Sequence, residues 1–451
     1  MARLFGTDGV RGIANSELTP EIAFKLGAAG ATVLTSAIHK PKIIIGRDTR
    51  ISGNMLEAAL IAGIMSVGAD ALIAGVVPTP AVAYLTRFYS ADAGIVISAS
   101  HNSVEFNGIK FFSSKGFKLP DAVEDEIQAL IESGKMPCPT GIDIGRRIPV
   151  KSAKRDYIDF LKSTVDVQLN GIKIVLDCAN GAASDIAPAL FEELGATVYP
   201  YYFMPDGTDI NKNCGSTHPE RICELVRETG ADIGLAFDGD ADRLIACDER
   251  GIEIDGDHVL AVCGQMLKKE NRLKNNTIVG TVMSNMGLDI FAQKAGIDFE
   301  KTGVGDRYVL ERMLEKDFII GGEKSGHVIF LDYNTTGDGM LTALQLLRAK
   351  VKANKEMSEL ASIMHNLPQV LVNVKISNDK KELYKTDSDI IAAIKDADTA
   401  LAGRGRTLIR ASGTEPLIRV MLEGDNVEEI NGFALKIARA IENACEGKIV
   451  Q

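Results

Sequence analysis

Short apolar runs alternate along this chain with longer segments in which apolar residues recur every three or four positions. Three stretches share this plan, beginning "KIIIGRDTRISG", "KIVLDCANGAAS" and "TIVGTVMSNMG". Each has an apolar run, a polar or glycine-containing loop, a segment with helical spacing, and a glycine before another apolar run. In the first stretch, Leu56, Leu60, Ile61 and Ile64 carry the helical spacing. The repeat predicts three related βαβ units.

Strands that alternate with such helices predict largely parallel sheets with helices on both faces. The last part of the chain differs, because "QVLVNVKI" alternates apolar and polar residues and the chain closes on the helical pattern "VEEINGFALKIARAIENACEG". The predicted fold class is therefore α/β. It comprises three related α/β/α domains with mixed, largely parallel sheets and a smaller C-terminal α+β domain with a more antiparallel sheet.

Changes in composition place the predicted boundaries. A connection rich in proline and glycine, "SGKMPCPTGIDIGRRIPVKSA", follows an acidic helical segment, and the turn "DERGIEIDGD" marks a second break. A third break falls before Pro368. The predicted domains are residues 1–150, 151–254, 255–366 and 367–451.

Composition narrows the classes of function. The chain has 451 residues and a formal net charge of −11, which argues against a general binder of nucleic acid or membrane surfaces. Its seven cysteines have no CxxC spacing, which favours reduced thiols over disulfides or a zinc site. The N-terminus meets Asp8 and Arg11 before any signal-like apolar stretch, and no window approaches the roughly 20 apolar residues of a membrane span. We expect a soluble, cytoplasmic protein whose anionic ligands would need a locally basic site.

The first chemistry-bearing loop is "ISASHN", at the end of an apolar strand. Open α/β sheets bind ligands at this edge, which makes Ser100 and His101 candidate catalytic residues. Lys110 follows Asn107-Gly108, which we interpret as a turn that folds the lysine back toward Ser100. A basic group near a serine oxygen fits either an activated nucleophile or a phosphorylated serine. A plain turn serine is the alternative.

The second loop, "DGDADR", places Asp238, Asp240 and Asp242 at alternating positions, where their oxygens can converge on one hard cation. An EF-hand loop is excluded, because Arg243 stands where that loop needs glycine and the flanking segments read as strands. Without a cation the three carboxylates would repel one another. The loop predicts a Mg²⁺ site that also accepts phosphate oxygens.

The third loop, "GEKSGH", supplies Glu323, Ser325 and His327, whose alternating polar groups suit the adjacent hydroxyls of a polyol. An ordinary β-turn is the alternative interpretation.

The fourth loop, "RASGTEP", could aim backbone N–H groups at an anion. Its small residues are Ser412, Gly413 and Thr414, and Arg410 and Arg419 flank it with planar donor forks that match a phosphate. A hairpin with two solvated arginines is the alternative.

Three further loops carry weaker signals. "GTDGVRG" brings Arg11 toward an anion near the first domain, and "GRDTRISG" predicts a structural ion-pair loop with Arg47, Asp48 and Arg50. "TGVGDRYV" puts Asp306 and Arg307 in a third-domain loop that could read a sugar.

Taken in order, "ISASHN", "DGDADR", "GEKSGH" and "RASGTEP" resemble the α-D-phosphohexomutases over essentially the whole chain, with one loop from each of four domains. The resemblance implies four domains around a central cleft and a phosphoryl group carried by Ser100. It implies Mg²⁺ on Ser100 and the three aspartates, and assistance from His101, Lys110 and Arg243. It also implies that Glu323, Ser325 and His327 contact the sugar. The phosphate that is not reacting would be bound by Arg410, Ser412, Gly413, Thr414 and Arg419.

Within that family the chain is most similar to the branch that acts on glucosamine phosphates. The implied reaction interconverts glucosamine 6-phosphate and glucosamine 1-phosphate through a 1,6-bisphosphate, which also serves as the primer, and supplies UDP-N-acetylglucosamine and cell-wall synthesis. A mutase of broader range acting on glucose and mannose phosphates, a phosphatase and a sugar-phosphate sensor are the alternatives. The implied partner is a small sugar phosphate, without nucleic acid or membrane, and a homodimer is left open.

Two positions depart from the family pattern. Ser103 stands where members generally have proline after Ser-His-Asn, and Lys324 stands where this branch more often has glutamine or asparagine.

Overall fold

The structure is a computed structural model that describes residues 3–6, 8–35, 40–412 and 415–450. The chain divides into two compact units. The first unit contains Met1–Met283 and Ile297–Ile363, and the second contains Ser284–Gly296 and Met364–Gln451.

The first sheet of the first unit carries the loop of Ser100. Its region contains, in chain order, β1 (Val10–Ile13), α1 (Pro20–Val33), β2 (Lys42–Arg47), α2 (Ile51–Ser66), β3 (Asp70–Val76), α3 (Thr79–Phe88), β4 (Ala93–Ile97), β5 (Phe106–Ser113), α4 (Asp121–Ser133) and β6 (Arg147–Pro149). The strand order is β1-β5-β4-β2-β3-β6, with β4, β2, β3 and β6 parallel and β1 and β5 added in antiparallel fashion. The apolar residues of α2 at helical spacing are buried as predicted.

The predicted turn at Asn107-Gly108 is wrong, because both residues lie inside β5. A Cβ on Gly108 would come within 2.6 Å of the Ser98 carbonyl oxygen, so close strand packing explains this glycine. Lys110 sits opposite Val96 of the adjacent strand β4. Pairing with β4, and not a turn, therefore positions Lys110 beside the strand that leads to Ser100.

The second sheet carries the aspartate loop. The elements of its region are α5 (Ala153–Ser163), β7 (Lys173–Asp177), α6 (Ile186–Glu193), β8 (Thr197–Tyr201), α7 (Pro219–Thr229), β9 (Ile233–Phe237), β10 (Leu244–Asp248) and β11 (Glu253–Ile254). The strand order is β11-β10-β9-β7-β8, with β9, β7 and β8 parallel and β10 and β11 antiparallel.

The third sheet carries the hairpin of Glu323. The elements that follow in the chain are α8 (Gly256–Lys269), β12 (Thr277–Thr281), α9 (Met286–Ala295), β13 (Asp298–Thr302), α10 (Asp306–Lys316), β14 (Ile320–Gly322), β15 (Val328–Phe330), α11 (Gly339–Ala353) and α12 (Met357–Ala361). The strand order is β13-β12-β14-β15, parallel except for the β14–β15 hairpin. The three sheets are mixed, as predicted.

The second unit contains a fully antiparallel sheet. Its elements beyond α9 are β16 (Gln369–Lys375), α13 (Ser388–Ala400), β17 (Gly405–Ala411), β18 (Leu417–Gly424), α14 (Val427–Cys445) and β19 (Lys448–Val450), with the strand order β17-β18-β16-β19. The helix α9 belongs to this unit, because the buried carboxylate of Glu423 accepts hydrogen bonds from Met286 N at 3.0 Å and Asn285 Nδ2 at 3.3 Å. Arg406 donates to the same carboxylate at 2.7 Å.

Two further observations bear on the class of protein. Among the helices that the structure describes, none combines the length and the apolar character that crossing a bilayer requires. All seven cysteines are free, and six of them are buried.

A buried polar junction joins three helices of the first unit. The Tyr157 hydroxyl on α5 donates to Asp338 Oδ2 at 2.7 Å, and Asp338 Oδ1 caps α11 by accepting from Leu341 N at 3.0 Å. Asn334 Nδ2 also donates to Asp338, at 3.2 Å, and its Oδ1 accepts from Arg87 of α3 at 2.8 Å. Burial raises the pKa of Asp338 to about 6. Its charged form therefore depends on these donors.

Replacing the tyrosine tests this junction. We expect Tyr157→Phe to lower the free energy of unfolding by about 1–3 kcal/mol, because a buried carboxylate loses a donor that no solvent can replace. Chemical denaturation measures the loss. Tyr308→Phe, at an exposed tyrosine, is the matched control. Equal effects of the two substitutions would contradict the assigned role of the Tyr157 hydroxyl.

Candidate active site

The Ser100 loop rests on the loop that follows β2, because β2 and β4 are parallel neighbours and their carboxyl ends meet at one sheet edge. Ser98 Oγ donates to Asp48 Oδ2 at 2.6 Å and accepts from Ser100 N at 3.0 Å. Arg50 Nε binds the same carboxylate oxygen at 2.9 Å, and both charged side chains are fully buried. Burial raises the pKa of Asp48, with the arginine acting against that rise. The predicted ion pair is thus confirmed.

Arg50 also binds the backbone of the loop that contains Ser100. Its Nη2 donates to the carbonyl oxygens of Ser100 at 2.9 Å and Asn102 at 2.7 Å, and its Nη1 donates to that of Ser103. Asn211 Nδ2 adds a second donor to the Ser100 carbonyl at 2.9 Å. Ser100 has a φ of +52°, a left-handed conformation that costs on the order of 1–3 kcal/mol for a residue with a side chain. The hydrogen bonds hold the serine in this conformation.

The serine hydroxyl points at the three predicted aspartates. Ser100 Oγ donates to Asp238 Oδ2 at 2.7 Å. Asp238, Asp240 and Asp242 are buried, and one oxygen from each lies within 4.8 Å of the others. The loop between β9 and β10 therefore brings three carboxylates together near the carboxyl end of β4, where Ser100 lies.

The donor set of this group fits a hard cation. Among the buried side-chain atoms that the structure describes, Asp240 Oδ1 and Asp242 Oδ1 have no hydrogen-bond partner. Burial, and then the neighbouring carboxylates, raises the pKa of Asp238 well above its usual value and also raises that of Asp242. A divalent cation would satisfy the free oxygens and relieve the repulsion.

Asp240 already has a cationic partner, Lys110, and a hydroxyl donor, Thr79. Lys110 Nζ lies 3.1 Å from Asp240 Oδ2 and 2.9 Å from Asp8 Oδ2, and Thr79 Oγ1 donates to Asp240 Oδ2 at 2.7 Å. Burial opposes the charged form of Asp240, yet Lys110 and Thr79 hold its pKa below the usual value. The two carboxylates likewise raise the pKa of Lys110 against the effect of burial. Sequence reasoning missed Asp8 and Thr79, although Asp8 stands in the same "GTDGVRG" loop as Arg11.

His101 and Arg243 lie beside the serine and the aspartates. His101 Nδ1 is 3.3 Å from Ser100 Oγ, and burial followed by the charge of Arg243 lowers the pKa of His101 to about 4. Arg243 Nε lies 3.8 Å from Asp242 Oδ1, and the aspartates raise the pKa of Arg243 against burial. The imidazole is therefore neutral at neutral pH and the guanidinium is charged.

The β14–β15 hairpin lies next to the aspartate loop. Leu244 N donates to Gly326 O at 3.0 Å, and a Cβ on Gly326, whose φ is +92°, would come within 2.1 Å of Leu244 O. Gly326 N donates to Glu323 O at 3.0 Å, so the backbone makes a turn. Glu323 Oε1 accepts from Gly305 N at 3.1 Å, and His327 Nε2 lies 3.8 Å from Asp242 Oδ2. The hairpin thus contains a β-turn, as the alternative interpretation expected, and it also lies beside the three aspartates.

These loops enclose a cleft of about 890 Å³ within the first unit. The predicted site residues that line it are Arg11, Ser100, His101, Asp242, Arg243, Glu323, Ser325 and His327. Lys110, Asp238 and Asp240 are buried behind them. Asp8 and Lys118 also line the cleft and were not predicted, whereas Asp306 and Arg307, the weaker candidates of the loop "TGVGDRYV", line it as expected of residues that could contact a sugar. The loop "TGVGDRYV" had already indicated Asp306, but nothing in the sequence marked Lys118.

The fourth predicted loop lies in the second unit. Arg410 and Arg419 are directly opposite each other on β17 and β18, and burial followed by the charge of Arg419 lowers the pKa of Arg410. Arg419 Nη2 pairs with Glu415 at 2.7 Å, and Ser412 N donates to Leu417 O at 2.8 Å. Like charges opposite each other on a sheet are unfavourable. An anion bound between the two guanidinium groups would relieve this repulsion.

Two predicted members of that loop, Gly413 and Thr414, lie outside the described residues.

Models of a known family match the chain in four consecutive segments. They describe phosphoglucomutase/phosphomannomutase α/β/α domain I at residues 2–137, domain II at 155–251, domain III at 255–367 and the C-terminal domain at 371–440. The fold and the site therefore define the class of protein as a phosphohexomutase.

Curated relatives narrow the class. Phosphoglucosamine mutase from Clostridium novyi (strain NT) is 59% identical over 444 residues, which cover 98% of this chain and 99% of the relative. The enzyme of the same name from Thermoanaerobacter sp. (strain X514) is 58% identical over 443 residues, with the same shares covered. The chain belongs to the α-D-phosphohexomutase family of enzymes, in the branch of the bacterial phosphoglucosamine mutases.

Solved structures agree on the fold. A phosphoglucomutase/phosphomannomutase family protein from Burkholderia thailandensis superposes with a TM-score of 0.82 at 23% identity, covering 98% of this chain and 97% of that one. An Aspergillus fumigatus N-acetylphosphoglucosamine mutase, in complex with GlcNAc-6P and magnesium, gives 0.69 at 16% identity, covering 98% and 96%.

A substitution in the buried Asp48–Arg50 ion pair tests whether this pair stabilises the Ser100 loop. We expect Arg50→Met to lower the free energy of unfolding by about 3–5 kcal/mol, because it leaves Asp48 charged, buried and without its partner. Denaturant titration measures this change.

Arg155→Met, at an exposed arginine paired with Asp159 and Glu193, is the matched control and should cost much less. A loss for Arg50→Met no larger than that of the control would show that the buried pair does not hold the loop.

Proposed function

We propose that this enzyme interconverts glucosamine 6-phosphate and glucosamine 1-phosphate through a phosphoserine at Ser100 and a glucosamine 1,6-bisphosphate intermediate. The observation that carries the proposal is the Ser100 hydroxyl, which donates to Asp238 at 2.7 Å inside the buried carboxylate group. The names and the near-complete coverage of the relatives support the choice of sugar.

The proposed reaction moves one phosphoryl group in each half. The O1 hydroxyl of glucosamine 6-phosphate attacks the phosphorus of phospho-Ser100, so the new O1–P bond forms as the serine Oγ–P bond breaks, and Ser100 Oγ takes up a proton. The bisphosphate reorients, and Ser100 Oγ then attacks the phosphorus at O6. The new Oγ–P bond forms as the O6–P bond breaks, the serine gives up its proton, O6 takes up a proton, and glucosamine 1-phosphate leaves. Phosphoryl transfer of this kind depends mainly on positioning and on neutralising charge. The same bisphosphate is the proposed primer of the unphosphorylated enzyme.

Ser100 and the three aspartates are the proposed ligands of Mg²⁺, which when bound would neutralise charge on the phosphoryl oxygens. Lys110 stays protonated between Asp8 and Asp240, which supports a role as a charged donor to a phosphoryl oxygen and argues against a role as a base. Neutral His101, whose Nδ1 lies 3.3 Å from Ser100 Oγ, is better placed than Lys110 to accept the proton of the Ser100 hydroxyl.

Arg243 supplies a charged guanidinium beside the aspartates, in position to hold a transferring phosphoryl group.

Sugar and phosphate are assigned to separate loops. Glu323, Ser325 and His327 line the cleft of the first unit and are proposed to bind sugar hydroxyls, with Arg11 contributing a cation at the same cleft. The proposed phosphate-binding residues of the second unit are Arg410, Ser412, Gly413, Thr414 and Arg419. The opposed pair of arginines supports this assignment.

The proposed division of labour along the chain is a phosphoserine part at residues 1–150, a metal-binding part at 151–254, a sugar-binding part at 255–366 and a phosphate-binding part at 367–451. We place the reaction in the cytoplasm, since free cysteines suit a reducing compartment. Its product would feed UDP-N-acetylglucosamine and cell-wall synthesis.

Turnover of sugar phosphates tests the function directly. We expect conversion of glucosamine 6-phosphate to the 1-phosphate without net phosphate release, and mass spectrometry with peptide mapping should find one phosphoryl group on Ser100. Ser100→Ala should lower turnover about 1,000-fold or more, because no other group carries the phosphoryl. Ser114→Ala, at an exposed serine, should leave it unchanged.

Phosphate release that exceeds isomer formation would identify a phosphatase instead. Faster turnover of glucose or mannose phosphates would contradict the assignment of the sugar.

The metal assignment has its own test. We expect Asp240→Asn to weaken Mg²⁺ binding, measured by calorimetry, and to lower turnover by about 100-fold or more, because one charged ligand is lost. Glu224→Gln, at an exposed carboxylate on α7, is the matched control for loss of a charge.

Asp240 also binds Lys110, so Asp242→Asn is measured in parallel, with thermal unfolding of each variant. Full turnover at low Mg²⁺ in two folded variants would remove the metal assignment.

A further inference from the structure

Asp306 lines the same cleft as Ser100 and Glu323 and has no part in the reaction proposed above. It begins α10, directly after the loop that Glu323 holds through Gly305 N. Its side chain is 24% exposed, so it faces the cleft from a partly buried position. Two features decide what it could bind: its charge and its free oxygen.

One oxygen of this carboxylate is fixed and the other is open. Lys118 Nζ donates to Asp306 Oδ2 at 2.6 Å and to Asp8 Oδ1 at 2.7 Å, and His327 Nε2 lies 3.7 Å from the same Oδ2. In the part of the chain that the structure describes, no hydrogen bond engages Asp306 Oδ1. Burial opposes the charged form of Asp306, but the Lys118 ammonium more than offsets it and lowers the pKa to about 2. The cleft therefore contains an ionised, anchored carboxylate with one free acceptor.

Other carboxylates at the cleft have their partners. Asp8 binds three cationic side chains. Asp121 and Glu311 both bind the guanidinium of Arg307, at 2.5 Å and 2.9 Å. Glu323 Oε1 accepts from the N–H of Gly305, and this carboxylate is assigned above to the sugar hydroxyls. Apart from the group at Ser100, this leaves Asp306 as the best placed acceptor for a new cation.

The proposed substrate brings such a cation. Glucosamine phosphates differ from glucose phosphates by an amine in place of the hydroxyl at C2. Resting on the proposed function, we propose that Asp306 is a specificity-determining residue that binds the 2-ammonium group of the glucosamine phosphates. An aliphatic amine with a pKa near the roughly 7.7–8.0 of an α-amino group is largely protonated at neutral pH. Its hydrogen bond to a carboxylate is stronger than that of a neutral hydroxyl.

The discrimination between the two sugars tests this proposal. The ratio of kcat/KM for glucosamine 6-phosphate to that for glucose 6-phosphate is measured for the wild type and for Asp306→Asn. We expect the substitution to lower the ratio about 10- to 100-fold, mainly through the amino sugar, because the amide keeps the shape but loses the charge. Asp317→Asn, at an exposed carboxylate just after α10, is the matched control and should keep the wild-type ratio.

A second variant guards against misfolding of the first. Asp306→Glu keeps the negative charge at the start of α10 but moves it by one methylene, so we expect a smaller fall in the ratio than for Asp306→Asn. Proportional loss with both sugars in Asp306→Asn would overturn the proposal. If that variant does not fold, a wild-type ratio in Asp306→Glu would overturn it too.

Different results would contradict the proposed function and the role of Asp306. A wild-type ratio at or below one contradicts the proposed function together with the role of Asp306. A high wild-type ratio that Asp306→Asn leaves unchanged contradicts the role of Asp306 alone.

Discussion

The buried pair of Asp48 and Arg50 is the interaction on which the site depends. Each charge alone would be costly to bury, but together they leave the arginine with donors to spare, and it directs these at the carbonyl oxygens of the Ser100 loop. A planar guanidinium serves several acceptors at fixed angles, which a single ammonium could not do. The left-handed backbone of Ser100 is stable because these contacts over-determine it. The loop can therefore present its hydroxyl without help from a bound substrate.

Around this rigid base the first unit gathers charges that oppose one another. Three carboxylates crowd together at the end of β9, and Lys110 is held between Asp240 and Asp8. Such a cluster is stable only when its charges are compensated, so binding of a cation there would be linked thermodynamically to the stability of this region. The second unit also places like charges side by side, in this case the positive charges of two arginines on adjacent strands. Each concentration of like charge would be relieved by a ligand of the opposite sign.

Much of this could be predicted from the sequence, because it follows local pattern. The three βαβ repeats, the antiparallel C-terminal sheet and the convergence of the three aspartates came from spacing and strand ends, whereas the meeting of these aspartates with Ser100 was implied by the family resemblance. The turn at Asn107-Gly108 did not hold, since the glycine there answers to packing against the neighbouring strand, which a single sequence does not show.

Thr79 and Lys118 were missed for a related reason. They reach the site from distant parts of the chain, and nothing in their local sequence marks that approach.

The placement of α9 bears on how the C-terminal part of this protein can be altered. The helix lies between two strands of the third sheet in the chain, yet Glu423 binds its first turn and a Cβ on Gly287 would come within 2.0 Å of the His365 carbonyl oxygen. A chain cut after residue 363 would strip this helix of its packing, and the excised fragment would lack one of its own helices. The C-terminal region is thus not an independent module. Transferring it to a related enzyme would require the transfer of α9, the helix of the third repeat, as well.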